Sequence, residues 1–290
     1  MHLYTVRLRS LRPFRFGVMN FGSSLDEWHA FARRAEDLGF STLVVSDHFG
    51  KQLAPLPALM AAAGVTSRIR LGTIVLDNDF RHPALLAKEA ATISLLTSGR
   101  FELGIGAGWL EADYTVSGLP FDPPGIRFAR LRESVAILKG FFSGETLTFA
   151  GEHYRVRELA CVPKPVGPLP LMIGGRQRHM LSFAAREADI VSISLLDRQP
   201  NPPTFAQKIA WVREAAGARL AEIELHVNVN VVDTSAPPEW PSAPNRLIGG
   251  VGALCDQLHY WRDEFGVSYF AVNARVMDAI APVVERLAGR

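Results

Sequence analysis

Apolar positions recur along this chain with two periods that take turns. Phe16-Gly-Val-Met19 reads as a short first strand. Ser24-Leu-Asp-Glu27 then has the spacing of a helix capping box. Behind it Trp28, Phe31, Ala32, Ala35 and Leu38 follow helical periodicity, and Gly39 stands where a glycine past a helix end belongs. Thr42–Ser46 carries an unbroken apolar stretch suited to a strand buried on both faces. The alternation continues with an alanine-rich helix over 55–64 and a strand over Ile69–Leu76. A helix opened by His82-Pro83 then runs to about Leu96, followed by a strand over Phe101–Ile105 and a helix over Arg127–Phe142.

The rhythm then pauses. Leu147–Phe149 and Tyr154–Val156 flank Ala-Gly-Glu-His, which predicts a small antiparallel hairpin. Pro163, Pro165, Pro168 and Pro170 mark a connecting segment. It resumes with strands at Leu169–Ile173, 189–194, 223–232 and 268–272, and helices at 177–187, 204–218, 251–265 and 277–288. Strand-helix alternation implies parallel strands joined by helical crossovers. Eight such units predict an α/β fold, a TIM (β/α)8 barrel with inserted loops and the hairpin, rather than a doubly wound sheet. The expected organisation is an N-terminal extension over 1–14 and one catalytic barrel over 15–290.

In a barrel of this kind ligands meet the C-terminal ends of the strands. That rule selects Ser46-Asp47-His48, Thr73–Asn78, Gly106–Trp109, Gly174-Gly175-Arg176 and Ser192–Leu195. Several of these are polar or glycine where a buried strand would favour Val or Ile.

Composition narrows the class. The chain has 290 residues, 48% hydrophobic and 21% charged, with a formal net charge of +2. That charge is too small to point to nucleic acid as the main partner. Cys161 and Cys255 form neither a CxxC pair nor a metal spacing, so reduced thiols in a cytoplasmic protein are expected. No apolar run approaches membrane-spanning length, and Arg7, Arg9, Arg12 and Arg15 are not followed by the apolar region of a signal peptide.

The densest candidate chemistry lies in Gly99-Arg-Phe-Glu-Leu-Gly-Ile-Gly-Ala-Gly-Trp109. Three alternating glycines, Gly104, Gly106 and Gly108, close a strand. They suggest a flat or phosphorylated ligand lying against the main chain, the other reading being a tight strand-to-helix turn. A dinucleotide fingerprint fails on spacing, since the third glycine would fall on Trp109 or Glu111. Gly174-Gly175-Arg176-Gln-Arg178 ends a strand and opens a helix, the arrangement of an anion seat with two arginines or of a solvated turn. His48 is a candidate for proton handling or a core histidine bonded to backbone. Asp79 and Arg81 are expected to pair with each other. Trp109 could stack on a planar ring or pack as a lid. His48, His82 and His179 have no metal-ligand spacing, and no metal is expected. Neither Gly-x-Ser-x-Gly nor Gly-x-x-x-x-Gly-Lys-Ser occurs.

Six segments in order resemble the luciferase-like family of flavin- and deazaflavin-dependent oxidoreductases, in particular its coenzyme F420 branch. They are Arg33-Arg34-Ala-Glu36-x-Leu38-Gly39-Phe40, Ser46-Asp47-His48, Leu71-Gly72-Thr73-Ile-Val-Leu76, Arg81-His82-Pro83, Gly99-Arg100-Phe101-x-Leu-Gly-Ile-Gly106-Ala-Gly108-Trp109 and Ile173-Gly174-Gly175. The resemblance implies hydride transfer between F420 and a small organic substrate. His48 would handle a proton, and Ile74–Val75 would form a non-proline cis peptide against the ring. It implies cofactor contacts from Ser46, Asp47, His48, Thr73, Ile74, Val75, Gly106, Ala107, Gly108, Trp109, Gly174, Gly175 and Arg176. Trp109 departs from relatives that oxidise sugar phosphates, which carry glutamate there; reduction of an enone or imine gains weight instead. An FMN-dependent monooxygenase of the same superfamily, a non-catalytic flavin-binding protein and a metal-free barrel lyase are the alternatives. Segments 110–126 and 195–204 are expected to shape the substrate pocket. A homodimer stays open, because related barrels often pair through exterior helices.

Overall fold

A computed structural model describes residues 12–22, 24–196, 200–240 and 243–290. Eight parallel strands close into a barrel: β1 (Arg15–Met19), β2 (Thr42–Val45), β3 (Arg70–Thr73), β4 (Phe101–Gly106), β5 (Leu171–Gly175), β6 (Ile190–Ile193), β7 (Glu224–Val229) and β8 (Val267–Asn273). Each strand pairs with its neighbours in parallel. β1 against β8 closes the ring on one side, with Gly17 opposite Ala271, and β3 against β4 closes it on the other, with Leu71 opposite Phe101.

Nine helices surround the barrel among the described residues: α1 (Leu25–Asp37), α2 (Pro55–Ala63), α3 (Pro83–Leu96), α4 (Glu111–Ser117), α5 (Pro124–Phe142), α6 (Arg178–Glu187), α7 (Phe205–Ala216), α8 (Val251–Phe265) and α9 (Met277–Leu287). Their starts follow the sequence signals. Ser24 caps α1 by accepting from the Glu27 amide at 3.4 Å, and Gly39 beyond it takes φ +80°. Pro55 and Pro83 open α2 and α3, where a missing N–H costs nothing.

Two apolar clusters result. The larger fills the layer between strands and helices. The smaller lies inside the barrel and consists of Val44, Ile74, Met172, Ile190, Tyr269 and Ala271, with Met19 and Val75 against it. Toward the strand N-termini the interior is charged. Arg15 donates to Glu224 Oε2 at 2.6 Å and to Thr42 Oγ1 at 3.0 Å, and Arg15 and Arg70 both meet Glu102. The Arg15 guanidinium also sits 4.4 Å over the Tyr269 ring. One end of the barrel is thereby closed by paired charge, which leaves the C-terminal end as the mouth.

Several elements differ from the sequence expectation. The third strand is not continuous over Ile69–Leu76. It stops at Thr73, passes a cis Ile74–Val75 peptide, and rejoins the sheet as Leu76–Asp77 beside β4. Gly174 and Gly175 lie inside β5 rather than after it. The stretch 223–232 breaks after Val229, and Val231–Asp233 pairs in parallel with Arg246–Ile248. The hairpin forms between Leu147–Ala150 and Arg155–Leu159. Of the extension expected over 1–14, residues 1–11 lie outside the described residues. Phe14 is buried, its amide donating to Arg290 O at 2.9 Å.

Candidate active site

The mouth is organised around Val75. An added Cβ at Gly106 would stand 2.8 Å from Val75 Cγ2, and one at Gly174 would stand 3.3 Å from both Val75 methyls. At Gly104 it would run into the Thr73 carbonyl. The Thr73 hydroxyl donates to Gly104 O and accepts from Gly104 N, both at 2.8 Å. Gly104, Gly106 and Gly174 are therefore glycine because the chain's own bulge fills their side-chain space. The close approach expected at the alternating glycines is thus met, at Gly104 and Gly106, by the chain's own backbone and side chain. Half-buried Val75, Ala107, Gly108, Gly174 and Gly175 form one side of the opening.

Across from the bulge, Ser46, Asp47 and His48 follow β2. Ser46 donates from Oγ to Gln52 Oε1 at 2.9 Å, and Gln52 Nε2 returns a bond to Ser46 O at 2.8 Å. Asp47 is held by Arg81 through two bonds of 2.5 and 3.2 Å and accepts the Asp77 amide at 3.1 Å. Arg81 thus pairs with Asp47 and not with Asp79, as proximity in sequence had suggested; Asp79 meets Arg130 at 3.1 Å. His48 Nδ1 lies 2.6 Å from Asp113 Oδ2, and Asp113 Oδ1 accepts the Phe49 amide at 3.0 Å. The Trp109 ring meets the His48 ring edge-on at 5.7 Å between centroids.

The loop Gly106–Trp109 is fixed from behind by Arg127 on α5. Its guanidinium donates to Ala107 O at 3.0 Å, Gly108 O at 2.5 Å and Asp122 O at 2.8 Å, and it lies 4.2 Å over the Phe121 ring. In a planar trans peptide the following N–H points opposite to the carbonyl. The amides of Gly108 and Trp109 are therefore turned away from α5. Tyr114 on α4 donates to Asp77 Oδ1 at 2.9 Å. Burial, together with the charges of Asp79 and Asp47, pushes the Asp77 carboxyl up to about 6 despite the bonds it accepts. Sequence reasoning missed Asp113, Tyr114 and Arg127, which lie in or just after the 110–126 segment expected to vary with substrate.

The luciferase-like monooxygenase family profile matches residues 7–239. The chain belongs to that family. Among its relatives is an F420-dependent glucose-6-phosphate dehydrogenase of Nakamurella multipartita. It is 34% identical over 233 residues, which are 76% of this chain and 68% of that protein. A protein of the same name from Beutenbergia cavernae is 32% identical over 211 residues, 70% of this chain and 62% of that one. The matched region thus spans about two thirds of the relatives' length. The coenzyme F420 dependent tetrahydromethanopterin reductase from Methanopyrus kandleri superposes with a TM-score of 0.79 at 18% identity, over 95% of this chain and 98% of that one, and shows the shared fold.

In this luciferase-like barrel the residues selected from the sequence do share one end. Val75 touches the space of Gly106 and Gly174, and His48 touches Trp109. The anion seat changes character. Arg178 pairs with Glu214 of α7 at 3.1 Å, leaving Arg176, which donates to Leu196 O at 3.0 Å, as the arginine beside the glycines. Among the described residues no three His, Cys, Asp or Glu side chains gather as a metal site, and no helix is long and apolar enough to cross a membrane.

Proposed function

We propose that the chain is an oxidoreductase that binds coenzyme F420 in the barrel mouth and transfers a hydride between it and a small organic substrate. The carrying observation is the convergence of the Ile74–Val75 bulge, the Gly106–Trp109 loop, Gly174-Gly175-Arg176 and His48 on one opening. The choice of deazaflavin rests on the F420-dependent relatives.

The residues fit such a group. Val44, Ile74, Met172 and Ala271 give an apolar floor for a planar ring. Asn228 Oδ1 is buried and without a hydrogen-bond partner, an acceptor left for a ring N–H. Ser46, Asp47, Thr73, Ile74, Val75, Gly106, Ala107, Gly108 and Trp109 would surround the ring. Gly174, Gly175 and Arg176, at the approach to α6, would take the phosphate-bearing tail. A deazaflavin held by these residues would supply the hydride chemistry. His48 takes or returns the substrate proton. Asp47, with both oxygens engaged by Arg81 and Asp77, shapes the wall. Trp109 supplies an indole where relatives that oxidise sugar phosphates present a carboxyl, so the reading favours reduction of an enone or imine over sugar-phosphate oxidation.

The test adds F420 and FMN separately to the purified protein and follows fluorescence quenching. Saturable F420 binding with a weak FMN response is expected. Tight FMN binding with no response to F420 overturns the reading in favour of a flavin monooxygenase. Among enzymes that turn over, His48→Ala is expected to depress hydride transfer far more than cofactor affinity.

A further inference from the structure

His48 is held by one specific neighbour. Asp113 stands in the first turn of α4, 65 residues further along the chain, with its side chain 8% exposed against 31% for His48. Its two oxygens have different duties. Oδ1 accepts the main-chain amide of Phe49 at 3.0 Å, which ties α4 to the loop that carries His48. Oδ2 faces His48 Nδ1 at 2.6 Å. A carboxylate only accepts, so Nδ1 is the ring nitrogen that carries the proton. Nε2, on the far side of the ring, is turned away from α4 with its lone pair. The ring cannot swing freely, because Trp109 packs edge-on against it.

We propose that Asp113 is a positioning residue that keeps the His48 proton on Nδ1 and so leaves Nε2 as the nitrogen that exchanges a proton with the ligand at the barrel mouth. The inference rests on the oxidoreductase reading for its purpose but not for its geometry. In substrate reduction, the end of the double bond that does not receive the hydride would take its proton from protonated Nε2, leaving neutral imidazole with Nδ1–H still hydrogen-bonded to Asp113. In the oxidation direction the same proton returns to Nε2. Asp113 itself touches neither substrate nor cofactor.

The division of labour between Oδ1 and Oδ2 gives a sharp consequence for Asp113→Asn. The amide oxygen must stay opposite the Phe49 N–H, since turning it would set two donors against each other. The amide NH2 then faces Nδ1 and can only donate to it. The His48 proton must move to Nε2, the wrong tautomer for proton acceptance there.

The experiment is ring ¹⁵N spectroscopy of the full-length labelled protein without cofactor, at about pH 9, above the ordinary imidazole range. His48 is assigned by the signals lost in His48→Gln. Wild type is expected to carry its proton on Nδ1, Asp113→Asn on Nε2, and Asp113→Glu on Nδ1 again. A wild-type proton on Nε2 overturns the proposal without any variant, and so does an Asp113→Asn spectrum with the proton still on Nδ1. A merely structural Asp113 would lower the melting temperature and leave the tautomer where it was. In F420-dependent turnover, Asp113→Asn is expected to lose about a hundredfold or more in kcat, while F420 affinity changes by less than about threefold. Failure of wild type to bind F420 sinks the functional reading alone; the tautomer result still decides the role of Asp113.

Discussion

Val75 and Gly106 are two halves of one packing solution: the valine Cγ2 stands 2.8 Å from where a Cβ on residue 106 would be. Both belong to the C-terminal edge of the sheet, where Leu76 and Asp77 rejoin β4 opposite Ile105 and Gly106. Gly106→Ala is expected to destabilise by about 1–3 kcal/mol through overpacking, since real Cβ atoms do not approach so closely. Val75→Ala alone removes half-buried methyls and costs about 1 kcal/mol. The double variant should cost less than the sum by about 1 kcal/mol or more, because each change relieves the other. Chemical denaturation of the four proteins measures this, and additive effects would show that the two residues do not share space.

Arg127 makes the second prediction. It is 6% exposed and its donors are spread over the carbonyls of residues 107, 108 and 122. Arg127→Met keeps much of the stem's packing but leaves those carbonyls unpartnered, at an expected cost of about 2–4 kcal/mol. Arg127→Lys should recover only part of this, because an ammonium cannot reproduce the planar fork. The local readout is hydrogen exchange at Gly108 and Trp109, expected to accelerate in both variants. Unchanged exchange there would mean that the loop holds itself.

These two residues also show where sequence reading ended. The barrel was legible because strands buried on both faces leave continuous apolar runs, and because Ser24, Gly39 and Pro83 act locally on helix ends. The break at Ile74–Val75 was not legible as a break, since Ile and Val continue an apolar run whether or not the strand does. The resemblance alone pointed to it. The glycines announced a close approach but not what approaches, and here it is the Thr73 carbonyl at Gly104, Val75 at Gly106, and Tyr114 with Asp77 at Gly108. Asp113 and Arg127 were missed because their roles depend on partners 65 and 19 to 20 residues away. Asp79 and Arg81 failed as a pair for the same reason: each found a better-placed partner across the fold.

Asp77 gives a prediction in pH. Its carboxyl is pushed up to about 6 by burial first and by Asp79 and Asp47 second. A carboxyl with a raised folded pKa binds more protons folded than unfolded between its ordinary value and 6. Stability therefore falls as pH rises through that window, by at most about 3 kcal/mol, and stays lowered above it. Asp77→Asn cannot ionise. Its melting temperature relative to wild type is expected to climb between about pH 4 and pH 7 and then level off. A difference that stays flat across that range would mean that Asp77 titrates like an exposed carboxyl.

His226 is expected to act in the opposite sense. It lies fully buried in the barrel on β7, with Nδ1 2.9 Å from Ser192 Oγ and its ring edge-on to Tyr269 at 4.7 Å. Burial, with the Arg15 charge behind it, holds the imidazole down to about 3. The unfolded chain gains a proton at this residue near its ordinary value of 6.5, whereas the folded chain does not until about 3. Stability contributed by neutral His226 is therefore fully present above the unfolded value and drains away as pH falls, approaching roughly 1.4 kcal/mol for each pH unit once well below it. His226→Gln keeps a polar side chain of similar reach toward Ser192 but cannot take up that proton. It should be less stable than wild type at neutral pH and should lose less on acidification to about pH 4.5. Urea midpoints at the two pH values decide it. If wild type and variant lose the same amount, the proton is taken up elsewhere and the acid sensitivity of the barrel does not originate at His226.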